Sequence, residues 1–198
     1  ALDRTTAGRG EVRRLTLAQV RAVSAGYPDR FGSAWAGERV PTLSEALGLL
    51  RGRARVLVEL KSESVADDAE GGLEALVVDE IRRAGMGSEV ALISFDHRAV
   101  LRLRALAPEM TRGRLFGRTT PDEVLAHARD AGCELVRPHK SQLDDARAER
   151  VHAAGLKLAT WVVDEPAELK QLARFGLYGV GSNRPGVLID AIADGLLD

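Results

Sequence analysis

Short apolar runs, each followed by a helical pattern, recur along the chain and constrain its fold more than any other feature. The runs are rich in β-branched residues and nearly continuous, which is typical of strands covered on both faces of a parallel sheet. Five runs are clear, and a sixth at 113–116 is weaker. The six runs are 55–60, 90–94, 113–116, 134–138, 158–163 and 178–182. Regular alternation of strand and helix predicts an α/β fold with about six βα units.

Helix boundaries can be read between these runs. Thr42 and Glu45 have the spacing of a capping box, in which each residue satisfies a free backbone N–H of the other. Thr120 and Glu123 repeat this spacing, and a proline takes the first helical position between them. Glycines follow several of the predicted helices, a few residues before the next strand. These glycines are Gly85, Gly132, Gly155 and Gly176.

The composition excludes several classes of protein. The chain has 198 residues, with 28 Lys+Arg against 29 Asp+Glu and a net charge of −1. A near-neutral charge argues against nucleic-acid binding, and no apolar run reaches the roughly 18 residues that a membrane span needs. The single cysteine, Cys133, excludes an intrachain disulfide. We therefore expect no nucleic-acid partner, no stable membrane insertion and a cytoplasmic location, with a signal peptide lost upstream of Ala1 as the alternative.

The chain is expected to form a single domain over residues 1–198, because no Gly-, Ser- or Pro-rich linker separates two halves. Residues 1–39 differ from the rest. They begin with polar coil, contain a short helical pattern at 16–24 and continue into a stretch rich in Gly, Pro and aromatic residues at 26–35. We interpret 1–39 as an insertion or loop region and 40–198 as the repeating strand and helix segment.

Ligands of α/β folds bind beyond the carboxyl ends of the parallel strands, so polar residues at strand ends are candidate site residues. Glu59 and Lys61 are two residues apart in a predicted strand and therefore project from the same face. This pair suits a divalent metal held beside an anionic group. It equally suits a plain ion pair that closes the mouth of a barrel. The tripeptide alone leaves both interpretations open.

Other strand-end residues also have two interpretations. Trp161 lies within an apolar strand and fits either the core or a hydrophobic wall for a substrate, and Phe95 fits either a packed turn or the same wall. Arg137 and His139 flank Pro138 and suit either contact with an anion or a solvated loop. The remaining histidines are expected on the surfaces of helices. They are His97, His127 and His152.

Taken together, several segments resemble motifs of the glycerophosphodiester phosphodiesterase family, a metal-dependent group of (β/α)8 TIM barrels. VPTLSE at 40–45 is similar to a family helix start, and VELK at 58–61 resembles its third strand. The matches continue in order over nearly the whole chain. Further similar segments are LDRTT at 2–6, ISFD at 93–96, GLKLATWVV at 155–163 and GLYGVGSNRP at 176–185.

The resemblance implies a phosphoric diester hydrolase that splits a glycerophosphodiester into sn-glycerol 3-phosphate and an alcohol by metal-assisted acid–base catalysis. It implies that Glu59 and Lys61 are the catalytic residues, with Glu59 as a ligand of Mg²⁺ or Ca²⁺ and Lys61 holding the phosphate. It also implies that Lys61, Phe95 and Trp161 bind the substrate, a small-molecule glycerophosphodiester.

The chain also departs from the family pattern. The strand-one His-Arg-Gly, the strand-two Glu-x-Asp and the histidine of the family His-Asp pair are not in this sequence. In the family these supply the general acid and base and two metal ligands. We therefore expect residues 40–198 to form strands three to eight of the barrel, with strands one and two missing through N-terminal truncation. The metal would then be incompletely liganded and the polypeptide inactive or nearly so.

Three further expectations complete the sequence interpretation. A homo-oligomer or a swapped partner would cover the open barrel edges, which are otherwise prone to aggregation. A first alternative function is a degenerate, non-catalytic barrel that binds a phosphorylated ligand or a partner. A second is a related phospholipase D-like phosphodiesterase, with residues 27–35 as a lipid-facing loop.

Overall fold

A computed structural model describes residues 1–66, 72–117 and 119–197. Ala1–Arg53 and Ala54–Asp198 form two compact units. The expectation of a single domain over 1–198, with 1–39 as an insertion or loop region, stays a prediction.

The first unit contains three short helices and an isolated antiparallel bridge between Ser24 and Arg39. Gly26 is required where the chain approaches itself, because an added Cβ would lie 2.1 Å from the carbonyl oxygen of Trp35. The predicted capping box is present: the Thr42 hydroxyl accepts from the Glu45 N–H, and the Glu45 carboxylate accepts from the Thr42 N–H. The helices are α1 (Leu17–Arg21), α2 (Pro28–Phe31) and α3 (Leu43–Leu50).

The described residues of the second unit form a sheet of six parallel strands with helices between them. Each strand pairs with the strand that precedes it and the strand that follows it in sequence, so the order in the sheet equals the order in the chain. The strands are β1 (Val56–Leu60), β2 (Val90–Ser94), β3 (Thr111–Phe116), β4 (Leu135–Pro138), β5 (Lys157–Trp161) and β6 (Gly179–Gly181). The helices are α4 (Leu73–Ala84), α5 (His97–Leu106), α6 (Pro121–Asp130), α7 (Asp145–Ala153), α8 (Pro166–Ala173) and α9 (Pro185–Ala193).

All six predicted strands are confirmed. The weakest run, 113–116, belongs to the longest of the described strands, the six-residue β3. Its apolar pattern is interrupted by two arginines, Arg112 and Arg114, which are buried because backbone carbonyl groups accept from their guanidinium groups. The strand was difficult to recognise in the sequence because charged residues usually indicate an exposed segment, whereas these two arginines are buried in the fold.

The predicted helix ends are also confirmed. Gly85 ends α4 with φ of 65°, a left-handed conformation that glycine adopts without steric cost, and its N–H donates to Ile81 and Arg82 carbonyl oxygens. The Thr120 hydroxyl accepts from the Glu123 N–H, and the Glu123 carboxylate accepts from the Thr120 N–H at 2.7 Å.

The two faces of the sheet differ in chemistry. Phe116, Val136 and Leu158 are buried against residues of the helices in the main hydrophobic cluster. Because side chains alternate along a strand, their neighbours in sequence project from the opposite face, which we call the inner face. Inner-face residues include Glu59, Ile93, Arg137, Ala159 and Trp161, as the register of the strands requires.

Six parallel strands with connecting helices on one side form the wall of a half-barrel, as the predicted α/β TIM-barrel fold requires. Among the described residues, β1 pairs with β2 alone and β6 with β5 alone. Coverage of these edges by a second copy or a swapped segment stays a prediction. None of the helices within the described ranges is long and apolar enough to cross a membrane.

The cap of α6 provides a test of the helix boundaries. Thr120→Ala removes the side-chain acceptor of the capping box, and we expect the free energy of unfolding of the unit to fall by about 1 kcal/mol. Thr120→Ser keeps the hydroxyl and is the matched control. Chemical denaturation followed by circular dichroism measures both, and equal losses in the two variants would contradict the capping role.

Candidate active site

Glu59 and Lys61 lie at the carboxyl end of β1, as the sequence predicts. The Lys61 ammonium donates to Glu59 Oε1 at 2.7 Å. The side chain of Lys61 is 58% exposed, whereas that of Glu59 is 27% exposed. A carboxylate and an ammonium therefore stand together at the rim of the inner face, with the ammonium facing solvent.

This ion pair contributes little to stability. Exposed ion pairs are typically worth between zero and about 1 kcal/mol, because water screens the charges and two flexible side chains must be ordered. The two side chains do form the ion pair that one interpretation of the sequence predicts. Stability alone therefore does not explain why this charged pair lies at the rim of the inner face.

Phe95 and Trp161 meet directly on the same side of the sheet. Their rings are edge-to-face, with centroids 5.6 Å apart. Trp161 ends β5 and Phe95 follows β2, and both side chains are partly exposed. Trp161 is therefore only partly buried, and together the two rings form a partly exposed apolar surface, which we call the aromatic wall.

Backbone and side-chain contacts fix the orientation of Trp161. Its Nε1–H donates to the carbonyl oxygen of Arg137 at 3.2 Å. His139 packs edge-on against the indole, with ring centroids 4.9 Å apart. The His139 Nδ1 lies 2.8 Å from the Ser141 hydroxyl. The aromatic wall is thus held from the side of β4 and is partly exposed.

A hydrogen-bonded acidic group closes the rim beside β5 and β6. Asp164 accepts from the Ser182 hydroxyl, from the Asn183 N–H and from the Asn183 side-chain amide at distances of 2.7–3.0 Å. These bonds, chiefly that from the Asn183 side chain, hold the pKa of Asp164 below its ordinary value. Asp164 is therefore an ionised group that ties two strand ends together.

Arg137 is the residue that sequence reasoning left undecided and that the fold places on the inner face. It is 9% exposed, so the solvated-loop interpretation is wrong for this residue. The face of Arg137 could have been predicted from the sequence, because side chains alternate between the two faces of a strand. Leu135 and Arg137 therefore project from one face of β4, and Val136 and Pro138 project from the other. Burial lowers the pKa of the guanidinium, and the negative charge of Glu59 opposes that shift.

Two histidines differ from their expected surface positions. His97 and His127 are half-buried and stack with ring centroids 4.4 Å apart, because α5 and α6 bring them together. His97 Nε2 also lies 2.8 Å from the Asp130 carboxylate. His152 is exposed, as expected, and its Nε2 lies 2.9 Å from the Phe175 carbonyl oxygen.

The described residues do not complete a site for a divalent cation. No cluster of three or more His, Cys, Asp or Glu side chains within 1–66, 72–117 and 119–197 is arranged to hold one. Glu59 supplies a single carboxylate on the inner face. Hard cations such as Mg²⁺ and Ca²⁺ take several oxygen ligands, so one carboxylate does not suffice.

Comparison with known proteins agrees with the fold. Six parallel strands with their connecting helices on one side define an α/β protein of the TIM-barrel class. Residues 1–187 match the sequence profile of the glycerophosphoryl diester phosphodiesterase family. The chain belongs to this family, whose named relatives are phosphoric diester hydrolases, and the resemblance read from the motifs is confirmed.

Individual relatives share about a quarter of their residues with the chain. A glycerophosphodiester phosphodiesterase of Caldanaerobacter subterraneus subsp. tengcongensis is 27% identical over 98% of this chain and 78% of its own length. A solved putative glycerophosphoryl diester phosphodiesterase from Silicibacter pomeroyi is 26% identical, with a TM-score of 0.79 over 94% of this chain and 75% of that one. A phosphodiesterase of Oleispira antarctica, solved in complex with its product sn-glycerol-3-phosphate, is 25% identical, with a TM-score of 0.76 over 97% and 76% of the two chains.

Proposed function

We propose that this chain forms part of an enzyme that hydrolyses glycerophosphodiesters to sn-glycerol 3-phosphate and an alcohol, and that the carboxyl rim of its sheet binds the substrate. The observation that carries the proposal is the placement of the Glu59–Lys61 pair and the Phe95–Trp161 wall at one edge of the sheet. A phosphodiester of glycerol needs both kinds of surface: a cation for the phosphoryl oxygens and an apolar wall for the carbon skeleton.

The reaction requires a positive charge beside the phosphoryl group, and we assign this role to Lys61. The oxygen of a water molecule bonds to phosphorus, the bond from phosphorus to the alcohol oxygen breaks, and a proton passes to the departing alcohol. Negative charge accumulates on the phosphoryl oxygens during this step, and an ammonium that donates to one of them stabilises that charge. Lys61 has this capacity because its side chain is 58% exposed and, within the described ranges, its ammonium is paired with Glu59 alone.

The aromatic wall orients the glycerol part. Rings that present an open edge or face bury the C–H groups of a small polyol while leaving its hydroxyls to water. Trp161 is suited to this role because its Nε1–H is already bonded to the Arg137 carbonyl, which fixes the ring. We assign Phe95, Trp161 and Lys61 to substrate binding.

We assign Glu59 as one ligand of a divalent cation, Mg²⁺ or Ca²⁺. Its carboxylate lies at the rim where the phosphoryl group would sit, and an oxygen ligand suits a hard cation. The other ligands are not among the described residues, so no chemical step is assigned to the metal. We further propose that the chain has no nucleic-acid partner, for which its near-neutral charge is the support.

The metal assignment is tested with Mn²⁺ as a paramagnetic probe. We expect excess Mn²⁺, which a single carboxylate binds only weakly, to broaden the backbone NMR signals around Glu59 and Lys61, and Glu59→Gln to abolish the broadening because the carboxylate ligand is lost. Glu80→Gln is the matched control: Glu80 is also paired, with Arg83 at 2.7 Å, and its side chain is 26% exposed. Broadening that survives Glu59→Gln would remove Glu59 from the metal site.

The substrate class is tested by comparing two ligands by calorimetry. We expect sn-glycerol 3-phosphate to bind about fivefold to tenfold tighter than inorganic phosphate, since contact with the wall is worth roughly 1 kcal/mol. Trp161→Ala should remove that preference, and Trp161→Phe should retain part of it. Trp35→Ala, which changes an exposed tryptophan of the first unit, is the control. Equal affinity of the unaltered protein for both ligands would overturn the proposed substrate class.

The 198-residue polypeptide itself is expected to hydrolyse glycerophosphocholine no faster than background. The groups that the resemblance assigns to acid–base catalysis, the family His-Arg-Gly and the histidine of its His-Asp pair, are not among its residues. Release of sn-glycerol 3-phosphate is measured enzymatically, with the glycerophosphodiester phosphodiesterase of Bacillus subtilis as the positive control. Turnover at the rate of that enzyme would show that other residues supply the proton transfers.

A further inference from the structure

Arg137 is a buried cation for which the described residues provide no acceptor. Its Nε has no hydrogen-bond partner, and no carboxylate of the described ranges forms an ion pair with its guanidinium. The side chain is 9% exposed. A buried charge that lacks a partner is costly, so an acceptor that binds at this position is the expected compensation.

The Nη groups of the other buried arginines of the sheet show the contrast, although Nε is without a partner in all three residues. Arg112 donates to the carbonyl oxygens of Ala107, Pro108, Met110 and Gly132. Arg114 donates to the carbonyl oxygens of Ser94, Phe95 and Leu115. Both lie on the helix-facing side of β3, where they satisfy backbone acceptors and act structurally. Arg137 lies on the inner face instead, with its Nη2 close to Gly181 at the end of β6.

The backbone opposite Arg137 leaves room for this side chain. A Cβ added to Gly181 would lie 2.9 Å from Nη2 of Arg137. Gly181 is the register partner of Trp161, which places the tip of the guanidinium at the layer of the aromatic wall. Any side chain at 181 would displace the guanidinium from this layer.

The charges around Arg137 favour an anion. Glu59 is the negative group that acts on it, and Lys61 already neutralises Glu59 at 2.7 Å. Glu59, Lys61 and Arg137 together carry a net charge of +1 on the inner face. A bound phosphoryl group would restore neutrality and accept from the free N–H groups.

We propose that Arg137 is a second phosphate-binding residue of this site, which donates from its guanidinium to a phosphoryl oxygen while Lys61 donates to another. This deepens the proposed function, on which it rests, by assigning the phosphoryl group of the substrate to two cations from different strands. A planar guanidinium presents two parallel donors, whereas an ammonium acts as a point charge. Arg137 would therefore set the orientation of the phosphate.

The test is the affinity of the polypeptide for inorganic phosphate, measured by calorimetry and by ³¹P NMR. Arg137→Gln is expected to weaken phosphate binding about tenfold or more, because a charge-assisted hydrogen bond is lost. Arg137→Lys keeps the charge but not the planar pair of donors and should give an intermediate loss. Gly181→Ala keeps every charge and should also weaken binding, because it displaces the guanidinium.

Lys157→Gln is the matched control. Lys157 begins β5 on the inner face and lines, with Arg137, a cavity of about 240 Å³ near the amino ends of the strands. Its ammonium packs over the Tyr178 ring, 4.9 Å from the centroid. The substitution removes the same charge from the opposite end of the same face and should change phosphate affinity less than twofold.

Several results would overturn the proposal. They are the absence of phosphate binding by the unaltered protein, equal losses in Arg137→Gln and Lys157→Gln, and unchanged affinity in Arg137→Gln. If Arg137→Gln does not fold, Arg137→Lys and Gly181→Ala decide the question, and unchanged affinity in both overturns it. Phosphate held through Arg137 with no preference for sn-glycerol 3-phosphate would overturn the proposed substrate class and leave this inference intact.

Discussion

The parallel pairing of all six strands is the constraint on which the rest of the structure depends. Because each strand pairs with its neighbour in sequence and runs in the same direction, all six carboxyl ends reach one edge of the sheet. Helices that connect such strands pack on one side only, which leaves the other face free of helices. Residues far apart in sequence, such as Glu59 and Trp161, therefore come to the same rim without any special contact between them.

The charged side chains on the two faces of the sheet have different hydrogen-bond partners. On the helix-facing side, Arg112 and Arg114 direct their donors to backbone carbonyls at strand and helix ends, which satisfies two kinds of polar group at once. On the inner face, Glu59 and Lys61 satisfy each other, and Arg137 keeps free donors. Stability accounts for the first arrangement. The second is the arrangement that the proposed phosphate ligand would complete, because a buried donor without an acceptor costs stability.

The membership of the family and the details of the site rest on different observations. The match over residues 1–187 and the parallel half-barrel define the family and its fold. The roles of Glu59, Lys61, Phe95 and Trp161 rest on their placement at the rim. Two pairs of side chains meet there, one charged and one aromatic, and a glycerophosphodiester has both a charged and an apolar part.

The resemblance of the sequence to a family pointed to the four residues of the candidate site, and the sequence by itself determined the order of elements and the helix caps. Local rules suffice for these: continuous apolar runs mark buried strands, a Thr and a Glu three residues apart mark a helix start, and residues two apart in a strand share a face. Only the tertiary structure decided the environments of Arg137, His97 and Trp161. Burial, stacking and unpaired donors depend on which neighbouring strands and helices face a side chain, and a single sequence does not contain that information.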